Sequence, residues 1–194
     1  MAWSRIQLRY RRSSWWLLAL MAGLAMLLAD QFGLLLVRRE SDFAHYHGLI
    51  VRVSSIVDGD IIDVDVRDVQ AGNPVTRVRL LGVKAPNTRA QNSESLHRQA
   101  CEFTRIMLTN ASVRLSLEPS RVRDELGHVL AHVETLDGTD LAEALLAGGL
   151  CSVDERWPHS LLLRYSQTER EARRKMLGMW SDAASSQRNV NANQ

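Results

Sequence analysis

The sequence predicts an α+β protein: a small five-stranded barrel with three helices, preceded by one transmembrane helix. Three observations carry this. Two β-branched apolar runs flank a tight Asp58-Gly59-Asp60 turn, and Asp-Gly between alternating hydrophobics is a strong hairpin signal because glycine takes positive φ without steric penalty. Three more short alternating segments follow, with one amphipathic helical pattern between the third and fourth strands. Upstream of them all lies an apolar run long enough to cross a bilayer.

Residues 1–14 carry Arg5, Arg9, Arg11 and Arg12 and no acid. Trp15 to Ala29 is then unbroken apolar sequence, and after Asp30 and Gln31 the run resumes to Val37. As a helix, residues 15–37 span ~34 Å, enough for a hydrocarbon core of ~30 Å. Trp15 and Trp16 suit the interface, and the arginine excess before the span favours the N-terminus inside. That places the C-terminal domain outside the cytoplasm, periplasmic in a bacterium. A signal peptide cleaved after Ala25, giving a secreted protein, and a buried soluble helix are the alternatives. Residues 38–48 read as a linker; its His45-Tyr46-His47 could ligate a metal, but no third ligand is evident.

The folded part begins at residue 49. Leu49 to Val57 and Ile61 to Val66 form the hairpin, and Thr76 to Val83 the third strand, stopped at Ala85-Pro86 because proline cannot donate to a ladder. From Ser93, Leu96, Ala100, Phe103 and Met107 mark one helical face to about Thr109. Val113 to Leu117 and Val129 to Leu136 are the last strands, separated by a charged loop. Asp140 and Glu143 have the capping-box arrangement for a short helix closed by Gly148-Gly149. His159 to Leu177 forms the third helix, with an arginine series interrupted by Glu169 and Glu171 that reads as a solvent face. Residues 183–194 are almost devoid of apolar residues and read as a disordered tail. Five strands with a helix between the third and fourth is the order of an OB-type barrel.

Charge narrows the function classes. Net charge is +2 overall, but residues 1–40 contribute six arginines against Asp30 and Glu40. Residues 41–194 carry 18 basic and 20 acidic side chains, a net −2, which argues against tight non-specific binding of nucleic acid through phosphates. Cys101 and Cys151 are the two cysteines and lie in no metal-type spacing. They read as small packed residues, with a disulfide the alternative in an oxidising compartment.

Val57-Asp58-Gly59-Asp60, Val78-Arg79-Leu80-Leu81-Gly82-Val83, Ala85-Pro86, ACEFTR (100–105), DELGHVLA (124–131), the 137–150 stretch and LGMW (177–180), in this order, resemble the staphylococcal nuclease (thermonuclease) family over residues 49–182. The resemblance implies a five-stranded OB barrel with three helices and, in active members, calcium-dependent hydrolysis of DNA or RNA phosphodiesters. It places Asp60 on the first calcium-ligand aspartate and Arg79 on the first phosphate-binding arginine. Lys84 stands where active members have the second calcium aspartate, Ala85 where they have a threonine, and Asn87 where they have the glutamate credited as general base. His128 replaces the second arginine, and Leu126 a tyrosine near the nucleotide. Trp157 falls near an aromatic that stacks on the base, with packing as the competing role.

Losing a positioned base costs ~10²–10⁴ in rate, and losing a charge-stabilising donor ~10²–10³. The expectation is therefore a degenerate site in which Lys84 sits beside Asp60 as a built-in counter-ion and calcium is not needed. The remnant residues are Asp60, Arg79 and His128; Arg79 either binds an anion or pairs with Asp60 or another acid, and Arg79 and Trp157 are the candidate strand contacts. A binding or scaffold module for a protein or a single-stranded nucleic acid is the leading reading. An active extracytoplasmic nuclease, which would need calcium, and a structural subunit of a membrane assembly are the alternatives. Asp63 and Asp65 read as solvated acids, His128 as a solvated loop histidine, and His132, on the same strand face, as a remote candidate for a metal pair with it.

Overall fold

A computed structural model describes Met21, residues 42–86 and residues 93–181. The chain divides into two compact units, 1–42 and 43–194. The basic segment 1–14, the apolar span 15–37 (apart from Met21), Asn87 and the tail 183–194 lie outside the described residues. Among the described residues no helix is long and apolar enough to cross a membrane.

The second unit is built on a closed barrel. Its strands are β1 (Ile50–Asp58), β2 (Ile61–Val64), β3 (Thr76–Leu80), β5 (Ser112–Ser116) and β6 (Val129–Thr135), in the order β1-β2-β3-β6-β5. All neighbours are antiparallel except β3 and β6, which run parallel. Period-two alternation decides what faces inward: Ile62 and Val64, Val78 and Leu80, and Val113 and Leu115 are fully buried, with Ala131 and Val133 closing the core. Helix α1 (Ser93–Leu108) connects β3's side of the barrel to β5. Helices α2 (Leu141–Ala147) and α3 (Leu162–Arg174) follow β6. The Asp140 side chain accepts from Glu143 N at 3.0 Å, as a cap should, and Leu141, Ala142, Leu145 and Leu146 are buried behind it.

Three expectations are revised. The third strand does not run to Val83: it ends at Leu80, and Val83–Lys84 leave the barrel as β4, paired with β7 (Ser152–Val153). The break is at Gly82, whose φ is +83° and whose missing Cβ would lie 2.4 Å from His159 Nε2; only glycine can both take that conformation and admit the ring. The linker is also shorter than 38–48, because its end belongs to the barrel. Tyr46 is buried, its hydroxyl 3.2 Å from Thr76 Oγ1, Gly48 N donates to Leu115 O, and Leu117 N donates to His47 Nδ1. The His47 imidazole thus accepts a backbone N–H just past the end of β5. The third helix is shorter than 159–177 at both ends, His159 being taken up in the packing against Gly82.

Candidate functional site

The β1–β2 turn is fixed from behind by α1. A Cβ on Gly59 would lie 2.7 Å from Ala100 Cβ, and Thr104 Oγ1 donates to Gly59 O at 2.8 Å. Glycine is therefore needed for close approach as much as for turning. The turn delivers Asp60 beside β3, where Leu80 N donates to Asp60 O at 2.9 Å. The carboxylate of Asp60 is buried, 3% exposed for the residue. Burial raises its pKa above the ordinary aspartate value; Arg79 works in the opposite direction, and Asp58 adds to the rise.

Arg79 projects from the non-core face of β3, opposite Ile61 in the β2–β3 register. Its Nη2 lies 3.4 Å from Asp60 Oδ2 and its Nη1 3.6 Å from Asp124 Oδ2. One guanidinium is thus held between two carboxylates, with its Nε buried and lacking a hydrogen-bond partner among the described residues. Asp124 organises the following loop. Its Oδ1 accepts from Leu126 N and His128 N, both at 2.9 Å, and its Oδ2 lies 3.0 Å from His128 Nδ1. His128 is half-buried and paired instead of solvated. Asp60, Arg79, Asp124 and His128 form one continuous polar chain.

Trp157 closes the other side. It is 4% exposed and packs with Leu81 and Leu130. Three guanidinium carbons lie over its ring: Arg156 at 4.5 Å, Arg79 at 5.5 Å and Arg121 at 5.6 Å from the centroid. Each such contact is worth ~0.5–1 kcal/mol or more as water is excluded. Arg156 is anchored by Asp154 through contacts of 2.6 to 3.0 Å, which outweigh burial and lower the Asp154 pKa. The indole is therefore a core residue capped by cations, and packing accounts for it.

Lys84 departs from its expected place. In β4 Val83 points inward and is fully buried, so by strand alternation Lys84 points outward and is exposed. Among the described residues the cation on Asp60 is Arg79, not Lys84. The built-in counter-ion exists, but it is the arginine already present on β3. His132 likewise does not pair with His128: its Nδ1 lies 3.0 Å from the Tyr165 hydroxyl, which donates to Asp140 Oδ2 at 2.8 Å. Asp63 is buried and bound by Arg77 at 2.9 and 3.2 Å, so it is not a solvated acid. A cleft of about 670 Å³ opens beside His128, lined by Asp63, Arg77, Asp68 and Arg123 among others; its arginines are bound to its acids.

Asp124 was missed by sequence reading. The signal for it was an aspartate three residues before Gly127 in a polar loop, the pattern of a side chain that caps its own turn. Calcium takes six to eight oxygen ligands. The described residues around Asp60 do not build such a cage: Arg79 occupies one side of the carboxylate, and the second-aspartate position carries an outward lysine.

The architecture of the described residues is a closed five-strand barrel with three helices and a carboxylate–guanidinium–carboxylate chain beside the β1–β2 turn. The family model described as "Staphylococcal nuclease homologue" matches residues 77–182, and this chain belongs to that family. It is 32% identical to the thermonuclease of Staphylococcus intermedius over 134 residues, covering 66% of this chain and 74% of that protein. It is 27% identical over 140 residues to an "Uncharacterized endonuclease" of Escherichia coli, covering 72% of this chain and 80% of that one. The matched family span begins in β3, so the hairpin bearing Asp60 lies ahead of it.

Proposed function

We propose that this chain is a membrane-anchored staphylococcal nuclease-like module that binds or scaffolds instead of cleaving phosphodiesters. The observation that carries the reading is Arg79 held between Asp60 and Asp124. A guanidinium engaged by two carboxylates is not free to meet a phosphate, and displacing it would leave buried carboxylates uncompensated. The exposed Lys84 adds no oxygen ligand on the metal side. The net −2 over residues 41–194 favours a protein partner over a phosphate backbone. The support for the anchor, with the barrel outside the cytoplasm, is the sequence of residues 15–37 and the arginines before it.

The second reading is a working nuclease, and one observation favours it. The His128–Asp124 pair, 3.0 Å apart and next to Arg79, has the form of an imidazole oriented by a carboxylate, which general acid–base chemistry uses. Relatives named thermonuclease and endonuclease are consistent with it.

Incubation of the full chain with single-stranded DNA and RNA in calcium decides between them. Binding or scaffolding predicts no cleavage above that of Asp60→Asn. Cleavage that disappears in Asp60→Asn and in His128→Ala overturns it in favour of the enzyme.

A further inference from the structure

Two residues before Asp60, on the side of the turn that faces α1, three different donors converge. Asp58 ends β1, and His97 and Cys101 lie one helical turn apart on α1, so their side chains share a face. Asp58 Oδ1 is 3.4 Å from His97 Nδ1 and 3.8 Å from Cys101 Sγ, and Cys101 Sγ is 3.6 Å from His97 Nε2. One ligand atom from each lies within 4.8 Å of the other two. A tetrahedron with bonds of ~2.0–2.3 Å has edges of ~3.3–3.8 Å. The 3.4 and 3.6 Å contacts use different nitrogens of the His97 ring and an ion takes one of them, so the set to compare is the one held within 4.8 Å, which small side-chain rotations close onto those edges.

We propose that Asp58, His97 and Cys101 form a binding site for a divalent transition-metal cation of the zinc type, with a fourth position open to water. The donor set chooses the ion: a thiolate with an imidazole favours zinc or cobalt, while calcium and magnesium take oxygen ligands. The scaffold is rigid where it matters. The Gly59 contact with Ala100 and the Thr104 bond to Gly59 O clamp the turn to the same helix that carries the two other ligands. Gly59 N also donates to Asp58 Oδ1 at 2.5 Å, fixing the orientation of the carboxylate. All three side chains are partly exposed, giving an ion access from solvent. Without a cation, burial followed by Asp58 raises the Cys101 pKa. Binding releases the thiol proton to solvent as the sulfur–metal bond forms. The site shares no residue with the Asp60–Arg79–Asp124 chain and does not depend on whether the protein cleaves nucleic acid.

Cobalt titration of the metal-stripped full chain tests it. One equivalent should bind, producing the near-ultraviolet band of thiolate-to-cobalt charge transfer, and zinc should displace it while a large excess of calcium does not. Cys101→Ser should abolish the band, His97→Ala should weaken binding about ten-fold or more, and Glu171→Gln, exposed on α3, should leave both unchanged. Zinc should also raise the melting temperature of the wild type and not that of Cys101→Ser. The proposal is overturned by wild-type cobalt binding without a thiolate band, by a band that survives Cys101→Ser, or by effective competition from calcium. Because the wild-type spectrum is itself decisive, a variant that folded poorly would not shelter the proposal.

Discussion

The run from Thr76 to Val83 reads as one strand, yet the cations on the two sides of its Gly82, Arg79 and Lys84, behave differently. Arg79, before the break at Gly82, lies between two buried acids and against an indole. Lys84, after it, pairs its backbone with β7 and has an exposed side chain. Both are cations at positions where the family resemblance leads one to expect site residues. The contrast teaches that sequence position alone does not make a residue part of a site: the inward or outward phase of its strand does, and one glycine resets that phase.

The largest expected effect tests the first half. Arg79→Met leaves Asp60 and Asp124 without their shared cation and should cost about 3 kcal/mol or more of unfolding free energy, since breaking a buried pair strands a charge. Urea unfolding measures it, and the matching Lys84→Ala should stay within about 0.5 kcal/mol. Equal losses for the two variants would break the comparison. Gly82→Ala tests the division between the halves. A methyl 2.4 Å from His159 Nε2 at φ +83° should destabilise by roughly 2–3 kcal/mol, and His159→Ala in the same chain should recover part of that loss.

A smaller effect separates α2 from the site. Asp140→Ala removes the helix cap and the acceptor of the Tyr165 hydroxyl, which should lower stability by about 1–2 kcal/mol in the same unfolding assay.

The smallest effect is in pH dependence, where two acids of the barrel titrate with opposite sign. The hydrogen bonds from Arg77 hold Asp63 below the ordinary aspartate range. Its stabilisation is present above the unfolded pKa of ~3.9 and is lost as pH falls through the lower folded value. Burial raises Asp60 instead, so the native state keeps that proton longer than the unfolded chain. Stability therefore falls as pH rises from the unfolded pKa through the raised folded one. Melting curves from pH 3 to 6 (about one unit below to two above the ordinary aspartate pKa) should show Arg77→Met flattening the acid limb. Asp60→Asn should remove the opposing slope above it.

Local chemistry made much of the fold legible. Asp-Gly marked the hairpin, Asp140 and Glu143 marked the helix start, and alternation in Val113 to Leu117 marked a strand, because each signal lies within a few residues of what it determines. The break at Gly82 was not legible, since its cause is a histidine and a tyrosine 77 and 83 positions later in the chain. Tyr46 read as linker for the same reason, its partner Thr76 lying across the barrel. Within the site, Asp60, Arg79 and His128 were placed from sequence and the structure does join them. Asp124, which links Arg79 to His128, was passed over because a loop acid shows its role only when its distant partners arrive. Lys84 is set beside Asp60 by the family resemblance, which puts it at the second calcium-aspartate position, and strand phase overrides that placement.

Calcium calorimetry on the wild-type chain beside Asp60→Asn tests the central claim most directly, that arginine and not a metal ion compensates Asp60. The account predicts no binding heat that depends on Asp60, with the two titrations superimposing. Stoichiometric calcium binding by the wild type that is lost in Asp60→Asn would contradict it.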